Sequence, residues 1–298
     1  MKLIESKVEL IEQQPGLEGM YKQIELAGRT CYKSEDKITE DSAKEVVDRI
    51  IKLGHGAMLE HGTVYLKLPA QGLLIQMSKH NHIDYENNKY SKTILVFEKT
   101  MYPEQHLKIN ENEEMFIPGC CWCYVTTNLR VLVENGWLDD LQYICEPTEH
   151  HEKRITARFT CDRGVSHEIV RHRVMSFAQE STRYCNYGKD KFDNELTFIH
   201  PSWSLAKMNE EDHRGDRFID TLYEIEKQYL YLIENGWLPQ QARQILPNAL
   251  KTEIVVTGFE SDWKHFLDLR AEGAVGAPHP DMRKLAVELK ELMYGKEV

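Results

Sequence analysis

The chain lacks any long run of apolar residues, although 41% of its 298 residues are hydrophobic. A helix that crosses a bilayer needs about 20 consecutive apolar residues, and no segment approaches that length. The first residues, Met1–Glu5, lead into an alternating pattern typical of a strand and show no feature of a signal peptide. The sequence therefore predicts a cytoplasmic protein that makes no membrane contact.

Positive charge is scarce as well, because 37 Lys and Arg residues stand against 48 Asp and Glu residues and give a formal net charge of −11. Proteins that bind nucleic-acid polymers nonspecifically present a broad basic face to the phosphate backbone. A nucleic-acid polymer is therefore not the expected partner. An anionic ligand has to be bound by a local cluster of basic side chains, which favours a small phosphorylated molecule.

The chain has few cysteines, seven in all. Their odd number, without an export signal, favours reduced thiols over a disulfide framework. Cys120, Cys121 and Cys123 lie close enough together to suggest a metal site. No second Cys-x-x-Cys or Cys-x-x-His pair lies nearby in the sequence, so we interpret them as small buried side chains and predict no bound metal.

The densest polar segment runs from Arg171 to Tyr184 and reads Arg-His-Arg-Val-Met-Ser-Phe-Ala-Gln-Glu-Ser-Thr-Arg-Tyr. It holds three guanidinium groups, an imidazole and several hydroxyl and amide groups. The planar fork of donors on guanidinium suits phosphate, and its charge persists at neutral pH. A solvated helix end is the simpler interpretation of any two of these arginines, but the density of the whole segment favours nucleotide recognition.

The amino-terminal half shows alternating types of structure. An apolar–polar alternation predicts a strand over Lys2–Ile11, and helical spacing predicts a helix from Ser42 that Gly54 closes. Alternation predicts a second strand over Thr63–Leu68. The segment of about 70–150 is less clearly patterned, and we interpret it as an elaboration inserted into the core.

Next to the dense polar segment, alternation predicts a strand over Arg154–Cys161 and a following helix capped by Ser166. Residues four apart on a helix share a face. Two pairs have this spacing, His167 with Arg171 and Glu168 with His172. The chain is then expected to enter a loop over Ser176–Tyr187, where binding groups held by a rigid scaffold often lie.

The carboxyl-terminal third repeats this alternation. Helical spacing predicts a long helix over Phe218–Glu234, and Pro239 begins a short one. A strand is expected over Leu250–Val256, and Ser261 is expected to cap a last helix. Together the elements predict a mixed α/β (α+β) fold, in one domain over 1–298, with a central, mostly antiparallel sheet flanked by helices.

Four motifs occur in an order that resembles the flavin-dependent thymidylate synthases. The first is Arg-His-Arg at 171–173, followed after seven residues by Ser181 and extended by Gln-Glu-Ser-Thr-Arg-Tyr at 179–184. The others are Leu-Glu-His at 59–61, Ala-Arg-Gln-Ile-Leu-Pro at 242–247, and His-Phe-Leu-Asp-Leu-Arg at 265–270. One Arg-His-Arg alone is weak evidence, whereas the ordered motifs from near Arg29 to Arg270 form a specific pattern.

The resemblance implies a homotetramer of mixed α/β subunits that binds FAD at the subunit interfaces. NADPH would reduce the flavin, and 5,10-methylenetetrahydrofolate would supply the carbon that converts dUMP to dTMP. The implied flavin-binding residues are His61, Thr63, Arg171, His172, Arg173 and His265. The implied nucleotide-binding residues are Glu168, Gln179, Glu180, Ser181, Arg183, Arg243 and Arg270. Arg270 is also the implied catalytic residue, because a fixed cation beside the ring favours the ionised pyrimidine.

Two positions depart from the pattern of the family. Phe259 stands where many relatives have Asn, so one polar contact to the flavin is missing. Glu168 stands where compact relatives have Gln, and a carboxylate there is expected to face ribose or base and not phosphate. Ser181 and Cys185 could each suggest a nucleophile, but Ser181 lacks a Gly-x-Ser-x-Gly elbow and Cys185 is better interpreted as a packing residue.

Two rival functions come from other classes of protein. A nucleotide-binding regulator without turnover would have no need for Arg270 together with His61 and His265. A metal-dependent phosphohydrolase is suggested by the pairs His150-His151 and His80-x-His82. Those pairs have no recognisable carboxylate constellation nearby, so we interpret them as surface histidines.

Overall fold

The computed structural model describes residues 1–70, 82–97, 105–110, 113–117, 121–202 and 213–295. The chain divides into two compact units. The first unit comprises Met1–Glu12, Leu26–Ile38 and Ile155–Val298, and the second comprises Gln13–Glu25 and Thr39–Arg154. The expectation of one domain over 1–298 stays a prediction. None of the helices in the described ranges is long and apolar enough to cross a membrane.

The described helices fall in both units. They are α1 (Gly16–Tyr32), α2 (Ser42–Lys52), α3 (Gly56–Leu59), α4 (His82–Glu86), α5 (Leu129–Asn135), α6 (Arg163–Ile169), α7 (Arg214–Glu234), α8 (Pro239–Ala242), α9 (Glu260–Arg270) and α10 (Pro280–Tyr294). The described strands are β1 (Lys2–Ile4), β2 (Lys7–Ile11), β3 (Thr63–Ala70), β4 (Lys92–Phe97), β5 (Gln105–Asn110), β6 (Glu113–Ile117), β7 (Cys121–Asn128), β8 (Arg154–Asp162), β9 (Ser176–Gln179), β10 (Thr197–Ile199) and β11 (Lys251–Phe259).

The first unit is built on a four-stranded sheet of order β2-β8-β11-β9, in which β2 pairs antiparallel with β8 and β9 with β11. A separate parallel pair joins β1 to β10. Helices α9 and α10 supply the apolar side chains that cover the sheet, with Phe159 and Trp263 fully buried at its centre. A second cluster of this unit packs Leu222 and Tyr229 of α7 against Phe198.

The second unit holds the antiparallel sheet β3-β7-β4 and the hairpin β5-β6. Its core includes Leu66, Val125 and Leu129, all fully buried. Gly62 is required at the start of β3, because a Cβ there would lie 2.5 Å from Cδ1 of Ile24. The segment of about 70–150 contributes β4 to β7, α4 and α5, so its described parts are regular structure within this unit.

The structure confirms a mixed α/β fold with mostly antiparallel strand pairing. The predicted helix from Ser42 ends at Lys52, and Gly54 follows with a φ of 68°. The expected strand over Arg154–Cys161 is present as β8. These elements have strong local signals, a long amphipathic repeat or a clean alternation.

Several local predictions are wrong. The strand expected over Lys2–Ile11 is two strands, because β1 and β2 pair with different partners. The loop expected over Ser176–Tyr187 begins with β9, which joins the main sheet. The last helix is α10, which the sequence analysis did not predict. Ser261 lies inside α9, whose N-cap position is Phe259.

Candidate active site

The segment that carries Arg171–Arg173 begins where β8 delivers the chain to α6. The N-cap of α6 is Asp162, whose side chain accepts a hydrogen bond of 2.8 Å from the Val165 amide. Ser166, the predicted cap, lies inside the helix and donates to the Arg163 carbonyl. The α6 helix ends at Ile169. The predicted pairing of residues four apart on one face is therefore wrong, because Arg171 and His172 lie beyond the helix.

Arg270, at the end of α9, is held by groups from this segment. Its Nη1 atom lies 2.6 Å from Glu168 Oε2, and its Nη2 atom donates to the Glu168 carbonyl at 3.3 Å. Its Nε atom donates to His172 Nε2 at 3.0 Å. Because guanidinium cannot accept, His172 accepts through Nε2 and its neutral ring carries the proton on Nδ1. The structure thus brings together three predicted site residues in a fixed geometry.

The environment of His172 favours its neutral form. Burial, followed by the charges of Arg270 and His265, lowers the pKa of His172 to about 4. The ring packs edge-on against Phe266 at a centroid distance of 4.7 Å, and the exposed His265 ring lies at 6.4 Å. His172 is therefore uncharged near neutral pH and works as a hydrogen-bond acceptor.

Three predicted basic residues of the first unit stand open to solvent. Arg171, Arg173 and Arg243 are exposed. Among the residues that the structure describes, none of their guanidinium groups has a hydrogen-bond or ion-pair partner. A guanidinium in this state is available to a phosphate or carboxylate ligand, since no internal carboxylate has to be displaced.

Gln179, Ser181 and Arg183 follow one another at the end of β9 and in the turn after it. The Gln179 amide donates to the hydroxyl groups of Ser166 and Thr252 at 2.8 and 3.1 Å. The Ser181 hydroxyl accepts a bond of 3.3 Å from the Arg183 amide. The exposed guanidinium of Arg183 donates to Gln240 at 3.2 Å and lies over the Tyr184 ring at 5.2 Å.

Glu180 is placed differently from its neighbours, because its side chain is only 1% exposed. One carboxylate oxygen accepts from Tyr187 at 2.9 Å, and the other lies 2.9 Å from Lys251 Nζ. Lys251 also contacts Glu253 at 2.6 Å, and Lys33 contacts the same Glu253 oxygen at 3.0 Å. Glu180 is therefore saturated by groups of the protein itself.

The lysines of this network were not predicted as site residues. The charges of Lys251 and then Lys33 overcome burial and lower the pKa of Glu253 to about 2. Lys-Thr-Glu at 251–253 was visible as two opposite charges on one face of a strand. The sequence gave no signal for their contact with Glu180 or Lys33, because that contact depends on the pairing of β9 with β11.

His61 and Thr63 belong to the second unit and are described there. His61 is fully buried. The Thr63 hydroxyl accepts from the Arg154 guanidinium at 3.5 Å, and the Thr63 backbone exchanges two bonds of 2.8 Å with the Gln13 amide. Both residues are thus integrated into the start of β3, and their predicted contact with a flavin stays a prediction.

The cysteines near the site are poor nucleophiles. Cys185 is fully buried, and burial followed by the charge of Glu180 raises its pKa to about 12. Burial raises the pKa of Cys31 to about 11. Cys185 packs with Tyr187 and Phe198, as the sequence analysis expected. A thiolate is therefore unfavourable at either position near neutral pH.

The histidine pairs that suggested a metal site behave otherwise. His151 is buried, so its interpretation as a surface residue is wrong, and its two ring nitrogens contact the Leu66 carbonyl and the Thr148 amide. The side chains of His80, His82, Cys120 and Cys121 lie outside the described residues. In the described ranges, no group of three or more His, Cys, Asp or Glu side chains could hold a metal ion.

Phe259, the departure from the family pattern, is buried at the junction of β11 and α9. Its amide donates to Asp262 at 3.2 Å. Thr257, two residues earlier, is fully buried and bonds to Thr156 at 2.9 Å. The Phe259 side chain therefore adds packing at this point and no polar contact.

Comparison with known proteins identifies one family. The sequence model of the family described as "Thymidylate synthase complementing protein" matches residues 146–296. This range contains every predicted site residue of the first unit and excludes His61 and Thr63.

Individual relatives match a shorter part. The flavin-dependent thymidylate synthase of Geobacter sulfurreducens is 31% identical over 133 residues, covering 45% of this chain and 53% of the relative. That of Thermococcus onnurineus is 38% identical over 112 residues, covering 37% and 43%. The chain thus spans about half the length of the curated relatives it matches.

One solved structure is similar over almost the full length. It is a UMP/dUMP methylase, PolB, from Streptomyces cacaoi bound with 5-Br dUMP, with 14% identity and a TM-score of 0.42. The similarity covers 98% of this chain and 92% of the other. At that identity and TM-score it carries no argument about function.

Proposed function

Because the chain belongs to the thymidylate synthase complementing protein family, we propose that it is a flavin-dependent thymidylate synthase. It would convert dUMP to dTMP with FAD as cofactor and with NADPH and 5,10-methylenetetrahydrofolate as co-substrates. The observation that carries the proposal is the contact of Arg270 with Glu168 and His172, because it joins two of the motifs into one site. A cytoplasmic homotetramer with sites at the subunit interfaces is part of the same proposal.

The residues of the first unit fit FAD. Its diphosphate is anionic, and Arg171 and Arg173 present exposed guanidinium groups without an internal partner among the described residues. His265 is exposed and His172 is neutral, so both can form hydrogen bonds without adding charge. When bound, the flavin would supply the redox chemistry of the reaction. The part of His61 and Thr63 in holding it belongs to this proposal.

Arg270 is suited to the pyrimidine. Adding a carbon at C5 of uracil requires an electron-rich ring, and a cation beside a ring carbonyl or nitrogen lowers the energy of its anionic form. Arg270 keeps its charge at neutral pH, while Glu168 and His172 fix the direction of the guanidinium. The Glu168 carboxylate would then face base or ribose hydroxyl groups, which can donate to it.

The nucleotide phosphate would be bound by Arg183 and Arg243, both exposed. Each hydrogen bond to a charged group contributes about 1.5–3 kcal/mol. Ser181 and Gln179 add neutral hydrogen-bonding groups close to Arg183 in the chain. No thiolate attack on the ring is required in this arrangement, which agrees with the raised pKa of Cys185.

The test is an NADPH-dependent assay of dUMP methylation with wild type and Arg270→Ala. We expect turnover by the wild type and a loss of about 100-fold or more in kcat for the variant, because the charge that stabilises the anionic ring is absent. Unchanged flavin absorbance and circular dichroism would show that Arg270→Ala still folds.

Arg283→Ala serves as the matched control. Its guanidinium also bonds a backbone carbonyl, that of Ala271, but lies outside the proposed site. Normal turnover by folded Arg270→Ala would remove the assigned role of Arg270. A wild type that contains flavin and binds dUMP but never methylates it would instead support the nucleotide-binding regulator.

A further inference from the structure

The Glu180 carboxylate holds both ends of the turn that carries Ser181 and Arg183. Glu180 directly precedes the turn, and Tyr187, which donates to its carboxylate at 2.9 Å, directly follows it. We define the turn as 181–186. Its own backbone closes through the amides of Tyr184 and Cys185, which both donate to the Ser181 carbonyl.

Three separate chain segments meet at Glu180. Its amide donates to the Glu253 carbonyl of β11 at 2.8 Å, and the Ser181 amide donates to the Cys31 carbonyl of α1 at 2.9 Å. The side chains repeat these links, because Lys251 contacts Glu180 and Glu253 while Lys33 contacts Glu253. Backbone and side chains thus fix the same junction twice.

The charges of this junction alternate in sign. Glu35, Lys33, Glu253, Lys251 and Glu180 form a chain in which each contact joins opposite charges at 2.6–3.0 Å. The side chains of Lys33, Lys251 and Glu253 are only 15–19% exposed. A poorly hydrated carboxylate without its cation is strongly unfavourable, so the position of Glu180 depends on Lys251.

We propose that Lys251, together with Glu253 and Lys33, positions the 181–186 turn through Glu180, so that Ser181 and Arg183 face the nucleotide phosphate. The inference rests on the proposed function for the identity of the ligand. Glu180 is then a positioning residue that acts on the turn, and not a group that touches the nucleotide. None of these lysines carries a role in the sequence motifs.

The first experiment measures the turn itself. Hydrogen exchange is followed in the intact protein for the peptide 181–187, in wild type, Lys251→Met and the control Lys284→Met. Lys284 forms an ion pair of 2.8 Å with Glu5, away from the turn. We expect exchange about tenfold faster in Lys251→Met alone, since the turn loses its anchor. Unchanged exchange in folded Lys251→Met would overturn the inference, whatever the protein catalyses.

The second experiment measures the ligand. In Lys251→Met we expect the KM for dUMP to rise about tenfold, with kcat within about threefold of wild type, because phosphate binding is lost from ground and transition states alike. Flavin content should be unchanged, and Lys251→Arg should restore most of the affinity. Parallel loss of flavin and dUMP binding, in proportion to unfolded protein, would reduce Lys251 to a stabilising role and contradict the inference.

A charge-neutral double variant covers the case in which Lys251→Met does not fold. Glu180→Gln with Lys251→Met leaves no unpaired charge on Glu180 and should fold. It should show the same faster exchange and raised KM. If wild type fails to bind or methylate dUMP while Lys251→Met still loosens the turn, the proposed function fails and the positioning role stands.

Discussion

Val174 has a φ of 46°, although a β-branched side chain strongly disfavours this region. It lies directly after Arg173, at the point where the chain turns into β9. Its side chain is 38% exposed, so packing accounts for little of its position. The strain falls on the segment that carries the exposed guanidinium groups, and strained backbone of this kind is concentrated at functional sites.

Replacing Val174 by Asn should stabilise the substrate-free protein by about 1 kcal/mol, because Asn tolerates positive φ far better. Thermal or urea unfolding measures the change. Val170→Asn is the matched control, since Val170 is equally exposed at 38% but has a φ of −68°. An equal gain in both variants, or none in Val174→Asn, would show that the backbone strain is not the cause.

At the scale of single residues, the sequence identified the chemically active groups but not their partners. Arg270 was predicted from its motif, and its link to Glu168 was not, because the two lie 102 positions apart. The Ser166 cap was wrong since Asp162, four residues earlier, is an equally good cap and begins the helix sooner.

Helix α6 shows how one element depends on its cap. Asp162→Ala should cost about 1 kcal/mol, because the Val165 amide loses its acceptor. Asp162→Asn keeps an acceptor of the same size and should retain most of the stability. The free energy of unfolding of the three proteins, measured in urea, checks the prediction, which fails if Ala and Asn are equivalent.

At the scale of elements, amphipathic repeats were reliable and strand ends were not. Helix α7 was expected over Phe218–Glu234 and spans Arg214–Glu234, because its apolar period continues over many turns. The strand β9 was expected as a loop. Its four residues carry too short an alternation to indicate a strand, and only pairing with β11 makes it one.

The whole molecule carries one buried histidine with a lowered pKa in each unit. Burial is the first cause for both His172, at about 4, and His151. The unfolded chain therefore binds more protons below pH 6.5 than the folded chain does. Stability is full above pH 6.5 and falls as the pH drops toward 4.

His172 alone should account for about 2 kcal/mol between pH 6.5 and 4.5. His172→Gln, which keeps an acceptor for Arg270, should flatten the dependence of the unfolding temperature on pH in this window. The exposed His265→Gln is the control. An unchanged slope in His172→Gln would show that the ring is not held neutral in the folded protein.

The sequence by itself determined the negative charge, the mixed α/β composition and the order of motifs that the family match confirms over residues 146–296. These depend on composition and on neighbours within a few residues. Only the tertiary structure decided that Glu180 is enclosed by Lys251 and Tyr187, and that Arg270 contacts His172. Such contacts join residues from different elements, so they follow from strand pairing and helix packing, which local sequence does not encode.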